Sequence, residues 1–317
     1  MNRVLKAGNE IATGAMAALL ILAVLFLLWA ADHGHAARSG QESFDSPEEA
    51  MARMSAAVAS GDGGQLAAIF GPRSGNIFPA DEAENARARE RFAKAYEEKN
   101  RLESLGPGRI VLHLGNKDWP WPIPLVKKGK RWMFDTEAGI KEIIARRIGK
   151  NEVAAVQVSL AYVDAQFEYA REYRPQGLAE YARTLLSDPG KKNGLCWEAA
   201  NGEEPSPLGP LAANACKTEM RGRPGQEPQP YHGYFYKILK SQGEHAPGGA
   251  YDYVVDGRML GGFALVAYPA EYGVTGITTF IVNQQGVVYQ KDLGRDTEKT
   301  AEAMVSFDPD PTWAAVD

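Results

Sequence analysis

Asn151-Glu152-Val153-Ala154-Ala155-Val156-Gln157-Val158-Ser159-Leu160-Ala161-Tyr162-Val163-Asp164-Ala165-Gln166-Phe167-Glu168-Tyr169-Ala170 decides how the second half of this chain folds. Val153, Val156, Leu160, Val163, Phe167 and Ala170 recur at alternating steps of three and four, the period of one helix face, and the spacing outweighs the β-branched content. The expectation is a long helix capped by Asn151, its stripe buried, broken by Pro175 and Gly177 before a second helical piece through about Leu186. Beyond it the period changes to two. Tyr234 to Leu239, Phe263 to Tyr268, Ile277 to Val282 and Val287 to Lys291 read as strands, with Asn283-Gln284-Gln285-Gly286 as a hairpin loop. Short sequential connections make an antiparallel meander, and the long helix is the one apolar stripe available to cover a face of it.

Upstream, Ser46-Pro47-Glu48-Glu49 reads as a capping box that starts a helix, which Gly61-Asp62-Gly63-Gly64 ends before a short helix around Leu66 to Phe70. Asp81 and Glu84 open a charged helix through about Arg101, with Phe92 and Tyr96 on its buried side. Arg109 to Leu114 alternates as a strand, and Leu125 to Lys127 faces Arg131 to Phe134 across a turn at Lys128-Gly129-Lys130. Asp135 or Thr136 caps a further helix carrying Ile140, Ile143, Ile144 and Ile148, which Gly149 closes. The fold class is therefore α+β in two domains, 42–149 and 150–317, folding around separate cores.

Residues 1–37 stand apart. An apolar run from Ile11 to Ala31 follows Arg3 and Lys6, which makes it an export segment. Two readings stay open: a signal peptide cut near Gly34-His35-Ala36, or an inner-membrane anchor of the roughly 20 residues that span a bilayer. Either places the remainder in the periplasm. The formal net charge of −5 argues against generic nucleic-acid binding. Only Cys196 and Cys216 occur, and an oxidising compartment favours their pairing across a segment rich in Pro, Gly and Ala.

Three stretches, Asp118-Trp119-Pro120-Trp121-Pro122-Ile123-Pro124-Leu125-Val126, Ser206-Pro207-Leu208-Gly209-Pro210-Leu211 and Gly261-Gly262-Phe263-Ala264-Leu265-Val266-Ala267-Tyr268-Pro269, resemble domain-of-unknown-function family 2950. That resemblance runs from about Phe44 to Trp313 and implies export in Gram-negative bacteria but no activity. Asn151 to Lys291 is similar to the globular part of type IV pilin-like and pseudopilin proteins, except that a whole domain separates it from the apolar segment. Residues 42–149 resemble, by element order alone, the cone-shaped nuclear-transport-factor-2-like superfamily.

Candidate sites follow from residue type. Trp119, Trp121, Trp132 and Phe134 could line an apolar pocket of a curved sheet, with core packing the simpler reading of Trp132 and Phe134. Trp119 and Trp121 lie among Pro120, Pro122 and Pro124, which forbid a central strand and put them on an edge open to a partner. His113, lying in a strand, reads as structural. His232 and His245 flank one hairpin, and with a carboxylate such as Glu244 or Asp252 would suit an envelope hydrolase. Asp308 and Asp310, with Asp292 and Asp296, offer oxygen ligands for calcium but lack the spacing of a dedicated loop, so turn-forming aspartates are the simpler reading. The sequence favours a non-enzymatic binding or assembly module for an envelope protein or component, with no cofactor and no metal.

Overall fold

The structure is a computed structural model that describes residues 40–78, 81–173, 178–197, 206–208 and 229–316. The apolar run from Ile11 to Ala31, Pro175, Gly177 and Cys216 lie outside the described residues. Among those described, no helix is long and apolar enough to cross a membrane. The chain divides into two compact units between Ile140 and Lys141.

In unit 1, Ser46 accepts a hydrogen bond from the Glu49 amide and starts α1, Pro47–Ser60, while Glu49 reaches back to the Asp45 amide at 2.7 Å. Gly61 ends the helix in the left-handed region, at φ 67°. Asp62 caps α2, Gly63–Phe70, and Asp81 caps α3, Glu82–Glu98. Here α3 stops short of Arg101, which belongs to β1, Asn100–Gly106, a strand that its charged side chains hide from a sequence reading. The sheet continues with β2, Arg109–Leu114, β3, Trp119–Pro120, β4, Leu125–Lys128, and β5, Arg131–Phe134. Its order is β1-β2-β4-β5, all antiparallel, with β3 also on β2. Phe44, Met54, Ile69, Phe70, Leu112, Ile123 and Phe134 form one core between sheet and helices.

Asp135 receives the Ala138 amide at 3.1 Å and starts α4, which runs unbroken over Thr136–Glu168 and continues as a π-helical turn, Tyr169–Tyr173. The helix end expected at Gly149 is not there. A glycine inside a helix costs about 1 kcal/mol, too little to break one whose turns are satisfied on both sides. Asn151 is no cap either, because its amide donates to the Thr275 carbonyl at 2.8 Å.

Unit 2 is built on an antiparallel sheet, as the alternation predicts: β6, Tyr234–Leu239, β11, Ala264–Pro269, β12, Thr278–Asn283, and β13, Val288–Asp292. Shorter pieces complete it: β7, Ser241–Gln242, β8, Tyr251–Asp252, β9, Val254–Val255, β10, Arg258–Met259, α5, Thr297–Ala303, β14, Ser306–Phe307, and β15, Ala314–Ala315. The main sheet has the order β15-β13-β12-β11-β6. Every residue of β11 is buried, because both faces are covered. Tyr162 from α4 donates to the Ala264 carbonyl, while Lys237 donates to the Ala301 carbonyl of α5.

Two expectations about α4 need correction. Val153, Leu160 and Phe167 are 61 %, 42 % and 43 % exposed, so half of the expected stripe faces outward. The buried face carries Ala155, Tyr162, Val163, Ala165 and Tyr169, with Gln166 fully enclosed. Small alanines let the helix approach, and Tyr162 and Gln166 are tolerated inside because each polar atom finds a partner. Residues 178–186 are not helical: Tyr181 bridges to Met259 and Leu186 to Cys196, as extended chain does.

Candidate functional site

The four expected aromatic residues separate into two groups. Phe134 is 1 % exposed and packs on Phe70, with ring centroids 5.0 Å apart, and on Phe44 at 6.3 Å. That is core, not pocket. Trp132 is partly buried against the same core, and Lys127 places its ammonium 5.7 Å from the ring centroid. Trp119 and Trp121 lie elsewhere, edge to face at 6.1 Å.

Trp121 continues inward onto Phe92 at 4.8 Å, and Phe92 onto Tyr96 at 5.8 Å, so an aromatic row leads from α3 to the surface. Trp119 stands at its outer end, 46 % exposed. Three features hold the row in place. Prolines fix the backbone around it, Ile123 anchors the strap in the core at 1 % exposure, and the Trp121 amide donates to the Leu112 carbonyl at 2.7 Å. The indole Nε1 of Trp121 is enclosed without a hydrogen-bond partner, a state that calls for a water or ligand group.

A charged rim borders this corner. Asp118, in the left-handed region at φ 50°, precedes Trp119 in the chain. Its carboxylate pairs with Lys99 at 2.9 Å and Arg101 at 3.8 Å, and the Lys99 hydrogen bond holds its pKa below the usual carboxylate range. Arg101 also pairs with Glu103 at 2.9 Å. His113 is structural, as its strand position suggests: Nδ1 lies 2.9 Å from the Asp118 carbonyl, which makes it the donor, and Nε2 faces Glu103 at 3.3 Å.

His232 and His245 do not share a site, for the length of β6, about 20 Å of extended chain, stands between them. His232 stacks on Tyr231 with centroids 4.2 Å apart. His245 does have a carboxylate orienter, but it is Asp308 and neither Glu244 nor Asp252. Nδ1 lies 3.1 Å and 3.2 Å from the two Asp308 oxygens, and the His245 amide donates to the same group at 2.9 Å. No local pattern could have revealed a partner 63 residues away. Gly243 makes room for it, since a Cβ there would stand 2.2 Å from the Asp308 carboxyl carbon.

The Asp308 hydrogen bond raises the His245 pKa above its ordinary 6.5, with Glu244 and Asp310 adding to the effect. An imidazole so held contributes stability that is complete below the unfolded value and lost as pH rises through the folded one. The chemical shift of His245 should therefore titrate above 6.5, and Asp308→Asn should move the midpoint down. An unchanged midpoint in that variant would refute the assignment.

Asp310 and Asp292 make turns. Asp310 accepts the Thr312 amide at 2.8 Å, and Asp292 accepts the Gly294 amide at 2.8 Å and the Tyr272 hydroxyl at 3.1 Å. Among the described residues, no group of three or more His, Cys, Asp or Glu converges on a metal position. Cys196 is 3 % exposed in the core of unit 2.

Fold and corner together define an α+β protein with an aromatic edge set in a balanced charged rim. The chain belongs to the protein family of unknown function numbered 2950, whose pattern matches residues 41–316. No curated protein and no solved structure matches it. Of the three stretches that carry the family resemblance, the first forms the strap of the aromatic corner and the third includes β11. The second is described only at Ser206, Pro207 and Leu208, where Leu208 is 2 % exposed.

Proposed function

We propose that the protein is exported and works in the cell envelope as a non-enzymatic binding or assembly module, engaging its partner through the corner at Trp119 and Trp121. The observation that carries this reading is the aromatic row, with Trp119 46 % exposed at its end and an enclosed indole donor behind it. Exposed tryptophan beside arginine is the composition of binding hot spots, and the paired rim charges suit a partner without strong net charge. Residues 42–149 then act as a cone-like domain and 150–317 as a pilin-like one, the long helix on an antiparallel sheet being the arrangement this analogy requires. The periplasmic address, soluble or anchored by residues 11–31, and a bond between Cys196 and Cys216 belong to the same proposal.

Crosslinked pull-down from envelope extracts, with the protein isolated without reductant, tests it. The intact chain should retain a partner that Trp119→Ala loses, and a thiol reagent should modify neither cysteine. Equal capture by both chains would remove the corner from the proposal, and labelling of both thiols would remove the disulfide.

The second reading is an envelope hydrolase, favoured by one observation, the orientation of His245 by Asp308. It predicts that an activity on envelope material is lost in His245→Gln but retained in Trp119→Ala.

A further inference from the structure

One end of the sheet in unit 1 concentrates positive charge. The register sets Val126 opposite Arg109 and carries β4 on past it, so the turn at Lys128-Gly129-Lys130-Arg131 lies beside the turn at Gly106-Pro107-Gly108-Arg109. The Lys127 amide ties them by donating to the Gly108 carbonyl at 2.8 Å, and Gly108 at φ 74° and Gly129 at φ 63° keep both turns tight. Arg109, Lys127, Lys128 and Lys130 are exposed, and none has a carboxylate partner among the described residues. Arg131 is committed to Asp45 and the Ser43 carbonyl, and Glu49 accepts the Asp45 amide. No Asp or Glu occurs from Ser104 to Arg109 or from Leu125 to Met133, in a chain whose acids outnumber its bases 40 to 35. Leu105 stands at the same end, left out of the β1–β2 register and 55 % exposed, as a bulge re-aims a side chain.

We infer that this end docks on the anionic surface of a lipid bilayer, its cations among the headgroup phosphates and Leu105 beneath them. Charge selects an anionic partner, and Leu105 selects a membrane over a nucleic acid, because a phosphate polymer would leave that side chain in water. The net charge of −5 does not oppose docking, since the bilayer potential fades within a Debye length of about 8 Å and acts on the near end alone. The chain also enters the unit here: Phe44 and Trp132 exchange both backbone hydrogen bonds at 2.8 Å. Asp32 to Ser43 reaches at most about 40 Å when extended, so a bilayer holding residues 11–31 lies within range of the basic end. Trp119 pairs with Leu114 at the other end of β2, about 17 Å along the strand, which leaves the aromatic corner clear of the lipid. The inference rests on the envelope address proposed above and not on the corner.

The full-length chain carrying Leu105→Cys, labelled with an environment-sensitive fluorophore, tests it against vesicles of phosphatidylcholine alone or mixed equally with phosphatidylglycerol; the parent, treated alike, gives the background. The label should shift to the blue with the anionic vesicles only, and high salt should abolish the shift. Insertion of residues 11–31 does not mimic this, because it needs no anionic lipid. Each cation at such a surface strengthens binding about fivefold, so Lys128→Glu with Lys130→Glu should raise the anionic lipid needed for half of the shift by about 25-fold or more, with an unaltered thermal melt. Lys299→Glu, an exposed reversal in unit 2, should change neither. No shift with anionic vesicles, an equal shift with neutral ones, or equal affinity of the labelled chain for duplex DNA would each overturn the inference. If the double reversal unfolds the chain, Lys128→Gln with Lys130→Gln replaces it and should weaken binding in the same direction. The vesicles are supplied in this test, so its failure reflects the basic end itself, whereas recovery of the protein from the cytoplasm would overturn the envelope address.

Discussion

Tyr162→Ala is expected to destabilise unit 2 by about 3–5 kcal/mol, the range for removing a large aromatic side chain from a core. The ring is 1 % exposed and meets Phe263 edge to face at 5.6 Å. Its hydroxyl donates to the Ala264 carbonyl at 3.1 Å and accepts from the Gln166 amide at 3.0 Å, so truncation opens a cavity and strips two buried groups of a partner. Burial also drives the phenol pKa far upward, so the hydroxyl stays protonated and remains the donor at any physiological pH. At this chain length the loss corresponds to a fall in melting temperature of roughly 10 °C. Leu160→Ala, two residues away but 42 % exposed, should melt within a few degrees of the parent. Calorimetry of the two variants decides between the observed burial and the one that the apolar spacing suggests: the larger effect falling on Leu160 would reverse the face of the helix.

Gly139→Ala and Gly149→Ala should have opposite signs although both lie inside α4. Alanine is the better helix former by about 1 kcal/mol, and at exposed Gly149, where nothing stands within 4 Å of a new Cβ, that gain is expected in full. At Gly139 the Cβ would stand 2.6 Å from Cγ1 of Ile123 and 3.0 Å from its Cβ and Cγ2. Ile123 is 1 % exposed and fixed between Pro122 and Pro124, so it has nowhere to retreat. Overpacking of this kind costs about 1–3 kcal/mol or more, enough to exceed the helix gain, and unit 1 should lose stability in urea unfolding. Stabilisation by both alanines would mean that the strap of the aromatic corner yields, and that the position of Trp121 is not set by the core beneath it.

Local chemistry was legible. Ser46 and Asp81 announce helix starts because a cap is satisfied by amides one turn away, whereas Asp62, read only as part of a helix end, proves to cap the next helix. The strands of unit 2 show through as short runs rich in apolar and β-branched residues, the last two joined by a loop that closes at Gly286, whose φ of 74° few other residues accept. Prolines around Trp119 and Trp121 placed that segment at an edge, since a residue without an amide hydrogen cannot sit in a central strand. In the same way, the steps of three and four after Asn151 fixed a helix there.

What the steps could not fix is which side of that helix is inside. Val153, Leu160 and Phe167 are as apolar as the residues that are buried, and periodicity measures an angle between side chains, not the direction in which the sheet lies. Only tertiary structure chose the face: Ala155, Tyr162 and Ala165 join the core of unit 2, and the Tyr162 hydroxyl donates to the Ala264 carbonyl of β11. The end expected at Gly149 failed for a related reason: a single helix propensity is worth about 1 kcal/mol, less than the contacts on both sides of it. Asp308 beside His245, and Phe92 and Tyr96 behind Trp121, were invisible for a simpler one. They are brought together by chain reversals that the sequence encodes only through the whole fold, so the α+β class and the edge segment were determined by the residues themselves, while every partner in both sites was decided by tertiary structure.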